Sequence, residues 1–261
     1  MNTSKPGFTV IETMLFLSVT GLMLAGMMVA IGSTIGTQRY KDSVETFKST
    51  LQQEYSRVSS VENSKVGQRA CYVASGSLQV SDPTPGPNPV SSRGQSSCDI
   101  IGRYLFIDRG NINYYTIFGK ETGAVSGSND IAKLTSSGYT LGVSDYISQS
   151  SKKLEWGVSI AWPVRGTVDV EPAVGANVRT MAILIIKSPH SGNIYTFTST
   201  GVGTTSAGLK SLISSPAARG QRLICLNPDG LVSSPRRSIF IDANASSSSA
   251  VRINTATENP C

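Results

Sequence analysis

The stretch KPGFTVIETMLFLSVTGLMLAG, residues 5–26, decides how the whole chain is built. It opens a run that stays apolar or small from Phe8 to Gly36. Within that run Glu12 is the only charge between Lys5 and Arg39. As a helix, residues 13 to 35 alone span roughly 35 Å, enough for the hydrocarbon core of a bilayer. An ordinary secretory signal has an apolar core of about 7–15 residues with a small-residue cleavage site after it. Here the run is longer, and the processing-like residues precede it. Lys5 places a positive charge on the expected cytoplasmic side, while Arg39 and Lys41 beyond the span oppose that orientation. The segment reads as a single-pass anchor with the carboxyl-terminal bulk outside.

Pro6 disfavours helix at Lys5, and Gly7 tolerates conformations that other residues avoid. The chain before Phe8 is therefore expected to be extended and open to a peptidase. Glu12 sharpens that expectation. A carboxylate at membrane depth costs about 2.5–3.5 kcal/mol on insertion scales and marks a function with a partner. No Lys or Arg lies within a few turns along the helix. A cut after Gly7 would give Phe8 a free α-amine one turn from Glu12, in the same chain or a neighbouring one. At roughly 4 Å and an effective dielectric near 20, that attraction is about 4 kcal/mol.

The residues Gly7-Phe8-Thr9-Val10-Ile11-Glu12, followed by some two dozen apolar residues, resemble the processing motif of type IV pilins and pseudopilins. The resemblance covers about 30 residues of the amino terminus, a length set by the anchor. It implies cleavage by a prepilin peptidase between Gly7 and Phe8, N-methylation of Phe8, and an assembly role for Glu12. Pro6 departs from the pattern, since a basic residue often stands directly before the glycine. The family further implies an assembly ATPase, an inner-membrane platform protein, copies of the chain itself and other pilins as partners. Its filament roles are surface attachment, twitching motility and DNA uptake, with DNA or a host surface as ligands. The expected location is the inner membrane as a prepilin, then an extracellular filament.

Small residues spaced by four, Gly21–Ala25, Gly26–Ala30 and Gly32–Gly36, let helix backbones approach closely. Glycine is also simply common in membrane helices, and the sequence leaves both readings open. Beyond the anchor, Tyr40, Val44, Phe47, Leu51, Tyr55 and Val58 recur at helical spacing and form one apolar stripe. Lys41 with Glu45 and Glu54 with Arg57 are assigned to the opposite, exposed face. One helix is thus expected from about residue 9 to 62. Beyond Gly67 short β-like runs are divided by Gly, Ser, Asn and Pro. RYLFIDRGNINYYTIFG reads as a hairpin turning at Arg109-Gly110-Asn111. LEWGVSIAWPV, TMAILIIKSP, NIYTFTST, RLICLNPDGLVSS, SIFIDAN and AVRIN supply further strands, with a turn at Pro228-Asp229-Gly230.

The expected fold class is therefore α+β, and the resemblance implies a pilin-like arrangement, a long amino-terminal helix packed on a mainly antiparallel β-sheet head. The divisions are a leader at 1–7, an apolar helix at 8–36, its amphipathic half at 37–66 and a β-rich head at 67–261. Residues 81–97, with alternate prolines, are expected to form a surface loop. The four cysteines include no CxxC, and one histidine accompanies them, which argues against zinc. On an exported chain they read as two disulfides. Three connectivities exist; Cys71–Cys98 and Cys225–Cys261 are preferred because each pair brackets a local segment.

Net charge is +6 without a basic cluster, a weak signal for nucleic acid. Charged residues make up only 15% of the chain, which suits a loop-rich extracellular domain better than a cytosolic enzyme. His190 sits in a turn-like SPHSG, and no nucleophile, phosphate-loop or metalloprotease motif stands out. No enzymatic activity and no cofactor or metal is expected. Asn244-Ala-Ser246 fits a glycosylation sequon of low specificity. Trp156 and Trp162, an even number apart, share one side of a strand if it runs unbroken. The functional expectation is a filament subunit, with a head size that favours a minor pilin. The alternatives are a pseudopilin of a type II secretion system and an anchored extracellular binding module that does not polymerise.

Overall fold

A computed structural model describes residues 9–60, 70–74, 77–81, 98–144, 151–164, 180–200, 203–228 and 237–254. Helix α1 runs without a break over Val10–Ser60. Its buried stripe is the predicted one: Tyr40, Val44, Phe47, Leu51, Tyr55 and Val58 are all at most 5% exposed. Fully burying side chains of this size contributes about 1.5–3 kcal/mol each, so the stripe alone fixes where the head sits on the helix.

Behind a short hairpin, β1 (Ala70–Ala74) and β2 (Ser77–Ser81), comes the main sheet. Its strands are β3 (Asp99–Asp108), β4 (Asn111–Glu121), β5 (Tyr139–Ser144), β6 (Ser151–Lys153), β8 (Thr180–Lys187) and β9 (Ile194–Ser199). They lie in the order β5-β4-β3-β8-β9, with β6 also pairing on β4. A second sheet is ordered β12-β11-β10-β7, from β7 (Ser159–Val164), β10 (Arg222–Asn227), β11 (Arg237–Ile241) and β12 (Val251–Ile253). Every described strand pairing is antiparallel. The α+β class follows directly.

The period-two alternation of strands sorts the main sheet into two faces. Leu105, Ile107, Met181, Ile183 and Ile185 point into the core beneath α1, which continues into the second sheet through Ile224, Leu226, Ile239 and Ile241. Tyr104, Ala182, Leu184 and Ile186 point the other way, under α2 (Asp130–Thr135) and α3 (Ser206–Ser214). The sheet is therefore a middle layer, and β8 is apolar throughout because both of its sides are covered. Gly102, opposite Ile186, lies where β8 approaches so closely that a Cβ would run into the Ile185 carbonyl.

Two sequence expectations are corrected. Glu54 is not on an exposed face: it is 1% exposed and turned into the sheet. The run from Leu154 to Val164 is not one strand, because a 3₁₀ turn occupies Glu155–Gly157 before β7. Trp156 sits there at φ 58°, so the parity argument linking it to Trp162 fails. Helices α2 and α3 were not expected from the sequence, although Leu209, Leu212 and Ile213 of α3 stand at helical spacing. They are short, and their starts are held by side chains of Asn129 and Thr205, which accept from Ala132 N–H and Gly208 N–H.

Cys71 and Cys98 form a disulfide with Cα atoms 6.1 Å apart, tying the hairpin to the start of β3. Cys225 is also disulfide-bonded. Its expected partner Cys261 lies outside the described residues, as do residues 82–97 of the proline-rich loop and Asp229-Gly230 of the predicted turn.

Candidate functional site

The chemistry-bearing part of the chain is the portion of α1 that the head leaves bare. The side chains from Val10 to Ile35 are exposed or nearly so, including Phe16, Leu22, Met28 and Val29. The most apolar window has a mean hydropathy of 2.2 and none of it is buried. The helix is thus long and apolar enough to cross a membrane. At 1.5 Å per residue the bare portion extends about 39 Å from the head.

Hydroxyls along this portion fold back onto their own helix. Thr13 Oγ1 donates to the Val10 carbonyl at 2.9 Å, Ser18 to Leu15 at 2.9 Å, Thr20 to Phe16 at 2.8 Å and Thr34 to Ala30 at 2.9 Å. Such internal satisfaction lets a polar side chain sit in an apolar surrounding. At the start, Thr9 Oγ1 accepts from the Glu12 N–H at 3.3 Å and holds the first turn. Glu12 is exposed in that turn, where the positive end of the helix dipole favours a carboxylate. No cation among the described residues reaches its carboxylate. Gly7 and Phe8, the cleavage and methylation positions, lie outside the described residues.

Of the small residues assigned to helix packing, Gly21, Gly26 and Gly32 have no atom within 4 Å of a would-be Cβ, so each is open to a close neighbour. Ala25 and Ala30 are exposed, whereas Gly36 is buried and marks where the head begins.

Below that point polar contacts fix the helix to the head. The Tyr40 hydroxyl donates to the Leu226 carbonyl at 2.8 Å and accepts from the Arg237 N–H at 2.6 Å, joining β10 to β11. Ser43 donates to the Glu155 carbonyl, and Gln52 donates to the Ser248 and Val251 carbonyls. Glu54 accepts from Arg103 Nε at 2.8 Å and from Arg57 at 3.0 Å, while Arg103 also donates to Thr116 at 2.8 Å. Burial, then the charge of Glu54, pushes the nearby Tyr114 hydroxyl up to about 12. A buried ion pair on a helix stripe carries no sequence signature beyond its two charges. The corresponding opposite charge, Arg103, is 49 residues away.

At the junction of bare and covered helix, the Arg39 guanidinium lies over the Trp156 ring, 4.6 Å from its centroid. Sequence reasoning placed neither residue in a site. Elsewhere, His190 is exposed in the turn before β9 with its ring 6.0 Å from that of Tyr139. Asn244 is exposed with φ 53°. Asp130 accepts from Tyr195 at 2.9 Å and from Ser191. Burial would raise its pKa, but hydrogen bonds from Ser191, Tyr195 and Ser188 hold it below the usual carboxylate value. These groups pin α2 to the β8–β9 turn.

Comparison with family models, with curated proteins and with solved structures finds no match to this chain.

Proposed function

We propose that the chain is a structural subunit, of minor-pilin type, of a type IV pilus or related filament. It is inserted as a membrane-anchored precursor, cut between Gly7 and Phe8, methylated at Phe8 and polymerised through α1. One observation carries the reading. The Val10–Ile35 portion of α1 is apolar on every side and bare of its own head, with one carboxylate in its first turn. A helix that is apolar all round is built to be surrounded, by lipid or by other helices. Glu12 stands one turn after the position where cleavage would create an amine. In the membrane the apolar surface is covered by lipid, and in a filament by copies of α1 and other pilins, with Gly21, Gly26 and Gly32 at close approaches. The prepilin peptidase, assembly ATPase and platform protein act on it. Attachment, twitching or DNA uptake is then the work of the filament.

Mass spectrometry of the amino terminus from cells tests the processing step. N-methylated Phe8 is expected, and a chain that keeps Met1 or Asn2 sinks the proposal. Glu12→Ala is expected to cripple incorporation into filaments while leaving the head folded. Normal filaments from that variant would remove Glu12 from the mechanism.

A further inference from the structure

The rim where α1 leaves the head combines an aromatic side chain, bases and backbone strain, and the fold does not use them for its core. Trp156 is 49% exposed. Its φ of 58° lies in the left-handed region, a genuine outlier for a bulky residue. Gly157 follows at φ 74°. The turn is held in place from both sides: the Ser43 hydroxyl donates to the Glu155 carbonyl at 3.0 Å, and the Val158 N–H donates to the same carbonyl at 3.3 Å. The strained turn thus presents an indole outward and brings it under the Arg39 guanidinium.

Height along the helix gives this pair its meaning. Arg39 lies four residues beyond Ile35, the last exposed large apolar residue of α1, which is about 6 Å of helix. That is the thickness of one headgroup layer outside the hydrocarbon core, about 5–7 Å. Lys41 and Arg109 are exposed close by, and Lys152 and Lys153 stand exposed on β6 further from the span, beside Thr46 and Thr50. Among the described residues the bases at this end of the head, with Arg39 and Lys48, outnumber its acids, Asp42, Glu45, Asp108 and Glu155. Trp settles in the membrane interface, Arg beside a span reaches toward the headgroups, and anionic lipid attracts such bases.

We infer that the Trp156–Arg39 rim is a lipid-headgroup contact, seating the head on anionic phospholipid while α1 spans the bilayer. The inference rests on the membrane-anchored stage of the proposed function and not on filament formation. Continuity with the apolar span and the charge of the rim select this occupant.

The test reconstitutes the full chain into vesicles of phosphatidylcholine alone or mixed with phosphatidylglycerol. Lipids brominated near the headgroup serve as quenchers of tryptophan fluorescence. The Trp162→Phe variant makes Trp156 the sole reporter; the difference between the unaltered chain and Trp156→Phe gives the same signal should that variant fold poorly. Flotation measures insertion separately. Quenching is expected to be about two-fold stronger with the anionic lipid, and to lose that increment in high salt and in the Arg39→Gln/Lys41→Gln variant. A chain that floats with Trp156 unquenched, or quenched equally in both lipids, overturns the rim contact and leaves the anchor standing. A chain that does not float overturns both. Trp156 unquenched in vesicles yet shielded in assembled filaments assigns the rim to a second copy and overturns the lipid contact.

Discussion

Replacing Glu54 by Gln keeps its shape and removes one charge from the contact between α1 and the main sheet. Glu54 is 1% exposed, and the Arg103 side chain facing it at 2.8 Å is 11% exposed. Arg103 would keep its bond to Thr116 but lose the charge of the Glu54 carboxylate. Breaking a buried pair by removing one partner typically costs about 3–5 kcal/mol, because the surviving charge stays desolvated. The retained Thr116 bond places the expectation at the lower end, about 3 kcal/mol. Arg57, whose side chain is 41% exposed, has its charge solvated by water and should matter little when replaced. Glu45→Gln provides the exposed control. Its pair with Lys48 spans 3.4 Å with Glu45 63% exposed, so a loss of about 0–1 kcal/mol is expected. The Glu54→Leu/Arg103→Met double variant removes both charges and should recover most of the stability. Urea unfolding of the full chain in detergent, followed by tryptophan fluorescence, measures all four. The reasoning fails if Glu54→Gln unfolds at the same urea concentration as Glu45→Gln. It fails equally if the double variant is no more stable than Glu54→Gln.

Tyr40→Phe leaves the Leu226 carbonyl and Arg237 N–H without their shared hydroxyl and should cost about 1–3 kcal/mol by the same urea assay. Cys71→Ser/Cys98→Ser opens a crosslink between positions 27 apart and should cost about 3.5 kcal/mol on the chain-entropy account, read as a lower unfolding midpoint. Burial raises Tyr55, Tyr104 and Tyr114 to about 12 each. Above pH 10 the unfolded chain then holds fewer protons than the folded one, so stability falls as pH rises from about 10 to 12. Phenolate absorbance should accordingly rise in two stages, the second coinciding with unfolding; a single smooth titration near 10 would contradict it.

The parts of this fold that were legible in the sequence are those where one local period meets one environment. The stripe from Tyr40 to Val58 faces a single core, so its spacing and its burial agree residue for residue. The β3–β4 hairpin was legible because Arg109 and Gly110 form its tight turn, with Arg109 at φ 53°. Glu54 was misplaced for the opposite reason. A charge three residues from Arg57 looks like an exposed pair, and only the sheet brings Arg103 to it. Strand β6 has three exposed residues and owes its existence to pairing with Asn111–Asn113, a long-range fact with no local pattern. Trp156 was read as one side of a strand because parity assumes an unbroken extended chain, and the Glu155–Gly157 turn breaks it.

The two halves of α1 obey different rules, and the difference constrains what can cover the first half. From Tyr40 onward the apolar residues keep to one stripe, because a single head covers a single side. From Val10 to Ile35 they occupy every side, so a groove that covered only one stripe would leave the remainder in water. Lipid or a bundle of similar helices solves that problem; a one-sided docking partner does not. Glu12 belongs to the same argument, since an all-round apolar environment strips its carboxylate of water and makes a specific cation necessary. An amine at Phe8 would supply that cation only after cleavage behind Gly7. Processing would thus act as the switch that turns an anchored precursor into a subunit able to assemble, and mature chains with Glu12→Gln should remain membrane-bound without entering filaments.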